Sequence, residues 1–145
     1  MSDAKGDWSF DESTGELTLD VGSDYDDWVT ANGVTGGEGD DDDNDGLTNF
    51  EESAFGLDPT GGSSVNPITV PLDKSTGTFS YTRRTQSLTG LTYSVWYSTD
   101  LSTWAKDTGA VEGTVTTSGE VETVPVTLSG ALLGNSKLFL QVRAE

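Results

Sequence analysis

The chain has 145 residues and carries 25 acidic against 7 basic side chains, a net charge of −18, with no cysteine and no histidine. Those two absences exclude disulfide frameworks, thiolate nucleophiles, zinc cages and histidine acid–base chemistry, so any bound metal is a hard ion held by oxygen. The acidity excludes nucleic acid and anionic membrane as partners, and the lack of any long apolar run excludes insertion into a bilayer.

The charge is unevenly placed. Residues 1–62 hold 18 acids and one base (Lys5), a net −17, whereas residues 63–145 hold 7 acids and 6 bases, a net −1. The chain therefore divides into an N-terminal arm (1–23), an acidic segment (24–62) and a Ser/Thr-rich segment (63–145). Few lysines, no cysteine and many Ser and Thr point to a secreted, extracellular or cell-surface protein. Met1 to Gly6 have neither a charged nor an apolar stretch, so no signal peptide is read there.

In the arm, Trp8 and Phe10, then Leu17, Leu19 and Val21, alternate with polar residues around a turn-rich Asp11 to Gly15, which predicts a β-hairpin. An isolated hairpin is marginal in water and needs a surface to pack on. A helix follows over Asp24 to Asn32: Asp24 suits the N-cap, Asp26 and Asp27 favour the positive end of the dipole, and Tyr25, Trp28 and Val29 share a face. Asn32-Gly33 stops it, and Val34 to Gly39 form a glycine-rich connector. A second helix is predicted from about Leu47 to Phe55, ending at Gly56 before Pro59.

Thr60 to Asn66 read as a linker, which places the boundary near Gly62. Beyond it, short alternating runs are predicted at Ile68 to Leu72, Gly77 to Arg84, Leu91 to Thr99, Thr103 to Lys106, Ala110 to Thr117, Val121 to Leu128 and Lys137 to Arg143. Thr and Val dominate these runs, with Gly and Ser between them. The expected fold is mainly β, an immunoglobulin-like sandwich of about seven strands.

One run carries chemistry. With Gly46 at loop position 6, Asp41, Asp43 and Asp45 fall at positions 1, 3 and 5, Leu47 at 7, Asn49 at 9 and Glu52 at 12, which is the EF-hand calcium-loop pattern. Alternate oxygens on a tightly turning backbone converge on one ion, and glycine supplies the positive φ that the turn needs. The expected ligands are the three aspartates, the Leu47 carbonyl, the Asn49 side chain or a water on it, and both Glu52 oxygens. Asp40 and Asp42 are expected to point outward, so that Asp42→Asn is nearly silent. Magnesium, which retains several waters, suits the loop less well than calcium.

The same stretch, with Ala54-Phe-Gly-Leu-Asp58-Pro59 after it, resembles the thrombospondin type 3-like or EF-hand-like calcium segment near the C-termini of large secreted bacterial proteins of planctomycete and verrucomicrobial type. Leu91 to Trp104 and Leu138 to Arg143 resemble the β-domain that follows it there. The resemblance covers about residues 24–145 and implies a non-catalytic extracellular accessory module beside other domains of a parent protein. Eight residues separate the first helix from the loop, unlike a true EF-hand, and a single loop does not make a dockerin.

Tyr93, Val95 and Tyr97 alternate and are expected in the core, with Trp96 on the opposite face and Trp104 one turn later. A second reading joins Trp96 and Trp104 with Tyr81 or Arg83 into a glycan-stacking platform. A third makes the calcium-loaded module a binder of another protein, such as one on a cell surface. No pair of carboxylates outside the loop has a pocket signature, so no enzyme activity is expected, Glu51 being a candidate by proximity alone.

Overall fold

Short alternating runs of threonine and valine pair into antiparallel sheets in the computed structural model, which describes residues 7–11, 16–20, 24–63 and 66–145. The arm forms β1 (Asp7–Asp11) and β2 (Glu16–Asp20), paired antiparallel as expected. The predicted turn and Val21 lie outside the described residues. Helix α1 (Asp24–Asn32) has the predicted bounds, and the positive φ of Gly33 ends it. Helix α2 (Asn49–Phe55) begins two residues later than predicted, because Thr48 and Glu51 form a reciprocal capping box at its start. Gly56, at φ +69°, closes it.

Eight strands follow: β3 (Ile68–Asp73), β4 (Thr78–Arg84), β5 (Tyr93–Ser98), β6 (Ala105–Lys106), β7 (Val111–Glu112), β8 (Thr116–Ser118), β9 (Val121–Thr127) and β10 (Phe139–Ala144). The predicted run from Ala110 to Thr117 is split in two. Its middle lies opposite Pro125, which has no N–H to offer a ladder, and there Gly113 donates to the Pro125 carbonyl instead. A short helix, α3 (Gln86–Thr89), and a 3₁₀ turn (Gly130–Gly134) were not expected.

One sheet runs β3-β4-β9-β7, with β8 also on β9, and the other runs β10-β5-β6. The architecture is mainly β, in the manner of a β-sandwich. Phe79 and Tyr81 from β4 and Val124 and Val126 from β9 meet Val95 from β5 and Val142 from β10 in one buried cluster. Burial of each such side chain stabilises by about 1.5–3 kcal/mol. Ala54 and Phe55 of α2 belong to the same cluster, so the core continues across the Gly62 boundary.

Two arginines organise the seam. Arg84 holds Asp24 of α1 through two 2.8 Å hydrogen bonds and reaches Ser53 of α2, clipping both helices to β4. Tyr93 packs edge-on against Phe55 and donates to the Ala54 carbonyl at 2.7 Å. Arg83 lies within the sandwich, bonded to Glu122, Glu112 and the Tyr81 hydroxyl. Among the described residues no helix is long and apolar enough to cross a membrane.

Candidate metal centre

The loop between the helices is built by its own backbone. Asp41 accepts from the N–H groups of Asp45 and Gly46, Asp43 accepts from Asp45, and Asp45 accepts from Leu47. Gly46, at φ +100°, makes the turn as expected. The result is that Asp41, Asp43 and Asp45 each bring a carboxylate oxygen within 4.8 Å of the others. The turn after α2 folds back over this loop, so that a Cβ on Gly62 would lie 3.2 Å from the Asp43 carbonyl oxygen.

Glu52 adds a fourth carboxylate near these three from the first turn of α2. Its side chain is fully buried, and neither carboxylate oxygen has a hydrogen-bond partner. Asp43 Oδ2 and Asp45 Oδ2 are buried and unpartnered as well. A buried carboxylate without donors is costly and normally either gains a proton or meets a cation. Burial first, then repulsion from Asp43, Asp45, Asp41 and Asp58, pushes the Glu52 carboxyl up to about 7. Burial and the charge of Asp45 also raise Asp43. This set consists of hard oxygen donors with uncompensated negative charge, which fits a divalent cation and offers nothing to a soft metal.

Asn49 and Asp42 have partners that the loop pattern does not include. Asn49 is fully buried, its amide donates to the Gly37 carbonyl and to Asp42, and its carbonyl accepts from the Asp42 N–H, which favours the water alternative at loop position 9. Asp42 is likewise not an idle outward charge. It accepts from the N–H and hydroxyl of Thr35 and from the Gly36 N–H, and these bonds with Asn49 hold its carboxyl below the usual range. Together they fasten the glycine-rich connector to the start of α2. Gly36 is required there, since a Cβ would fall 2.4 Å from Asp42 Oδ1. The signal lay in that connector, whose exposed N–H groups call for an anionic acceptor. Glu51 caps α2, accepting from the Thr48 N–H at 2.9 Å.

Of the four residues in the glycan-stacking alternative, two are turned away from the surface. Tyr81 and Arg83 are 1% and 4% exposed, because they face the core and pair with Glu112, so they cannot stack on a sugar. Trp96 and Trp104 are half-buried. The Arg143 guanidinium lies 4.0 Å over the Trp96 ring, and the indole N–H is bonded to Ser94. Tyr93 and Val95 do face the core cluster.

No family model, curated protein or solved structure matches this chain.

Proposed function

We propose that the chain is a calcium-stapled, non-catalytic module of the secreted type that its loop resembles, in which the ion organises the acidic segment against the β-sandwich. The observation that carries this reading is Glu52, a fully buried carboxylate with no partner on either oxygen, beside three aspartates already gathered within 4.8 Å. Asp41, Asp43, Asp45 and Glu52 would hold the ion, with the Leu47 carbonyl at loop position 7 and water in place of the occupied Asn49. Calcium supplies charge compensation there and no reaction chemistry. Because Glu52 sits in the helix whose Ala54 and Phe55 enter the core, filling the loop and seating α2 on the sandwich are one event.

Extracellular calcium modules bind with dissociation constants of roughly 10⁻⁴–10⁻³ M, and a ligand at about 100 times that constant adds about 2.7 kcal/mol to stability. For a chain of this size that corresponds to a rise in melting temperature of about 5–10 °C. Calorimetry in calcium, in magnesium and in chelator tests the reading. The expected order of melting temperatures is calcium above magnesium above chelator, and coincident melts in calcium and chelator would overturn it.

A further inference from the structure

We infer that the outer edge of β10 is a docking site for an extended polypeptide strand, apolar at alternate positions and basic at its flanks. The first observation is how the free edges of the two sheets differ. β3 carries Pro71 and two register irregularities, and β6 and β7 are two residues long. Such features normally prevent edge-to-edge pairing. β10 has none of them: it contains no proline or lysine and pairs with β5 in unbroken register over six residues. Among the described residues no strand lies on its other side.

The second observation is which backbone groups face outward. Thr92 and Glu145 exchange both of their hydrogen bonds at 2.9 Å, which makes theirs a hydrogen-bonded pair. In an antiparallel ladder such pairs alternate. Arg143, Gln141 and Phe139 are therefore bonded to β5, whereas Ala144, Val142 and Leu140 turn their N–H and C=O away from it. Val142 and Ala144 line a cleft of about 390 Å³, Leu140 and Val142 line a neighbouring one of about 160 Å³, and the two share Glu51, Phe55, Gln141 and Val142 between α2 and β10. The second continues to Ile68 at the start of β3.

The chemistry of the groove selects its occupant. A row of outward backbone donors and acceptors takes another backbone, and the half-buried Phe50 gives a side chain of that strand an apolar seat. Glu51 and Glu145 line the cleft with one cation, Arg143, whose guanidinium lies over the Trp96 ring, so on a chain of net charge −18 the site favours basic residues beside that strand and opposes a second copy of the same acidic chain.

The probe is a capped heptapeptide of alternating valine and threonine with a lysine at each end, added to the whole chain in calcium buffer and followed by amide hydrogen exchange. The expected result is that the amides of Leu140, Val142 and Ala144 gain protection by about tenfold or more, with Gln141 and Arg143 unchanged. The same peptide with glutamate flanks should bind more weakly, and one N-methylated at alternate amides should not bind. Ala144→Pro removes one outward N–H at an edge position that tolerates proline, so it should keep the melting temperature and weaken the peptide. Three results would overturn the proposal: no alternating protection at saturating peptide, protection of those amides already in the free chain, or a concentration-dependent dimer that buries this edge.

Discussion

Replacing Glu52 by glutamine should move stability in opposite directions with and without calcium. In the metal-free protein its carboxyl shifts from an ordinary 4.5 to about 7, chiefly through burial. At about 1.4 kcal/mol per pH unit, this corresponds to roughly 3 kcal/mol of destabilisation when the group is ionised. The folded value lies above the unfolded one, so the stability that this group contributes is fully present below pH 4.5 and is lost as pH rises through about 7. At pH 8 the metal-free wild type therefore carries the whole cost. Glutamine removes the charge but leaves an amide with unmet hydrogen bonds, worth about 1–2 kcal/mol against it. The net gain of about 1–2 kcal/mol raises the melting temperature by about 3–6 °C at pH 8 in chelator. The same substitution removes a ligand and should abolish most of the rise that calcium produces. Scanning calorimetry of both proteins, in chelator and in calcium, measures all four values, and a further pair in chelator at pH 4.5 should show the gain gone. A variant that melts below wild type in chelator at pH 8, or that keeps the full calcium response, would refute the reasoning.

Asp42→Ala should lower both calcium affinity and melting temperature, because Thr35, Gly36 and Asn49 lose their common acceptor; calcium titration by calorimetry reads the first and a melt the second. Gly36→Ala should do the same through a clash with Asp42 Oδ1, at a cost of roughly 1–3 kcal/mol in denaturant unfolding. Arg83→Ala should cost about 3–5 kcal/mol in the same assay, since the part-buried Glu122 then loses its cation. Tyr93→Phe deletes the bond to the Ala54 carbonyl and should cost about 0.5–1.5 kcal/mol while leaving calcium binding in place.

Much of the metal loop was legible because its pattern is local. Asp41, Asp43, Asp45 and Gly46 are brought together by hydrogen bonds spanning no more than five residues, so their spacing alone specifies the turn. The partners of Asp42 and Asn49 were missed for a related reason. The pattern assigns them by position, whereas their partners, Thr35 to Gly37, lie in a connector that no loop pattern includes. The glycan alternative could include Tyr81 and Arg83 because alternation identifies two faces of a strand without saying which one is covered.

The sequence by itself determined α1, the body of α2, most of the strands, the glycines that end the two helices and turn the loop, and the convergence of three aspartates. Each depends on side-chain periodicity or on hydrogen bonds within a few residues. Only the tertiary structure decided that Glu52 is sealed from water, that Arg84 clips both helices to β4, and that β10, among the described residues, has a strand on one side only. Burial, ion pairing and strand order join residues far apart in the chain. Their energies depend on which surfaces meet, and composition and spacing do not encode that.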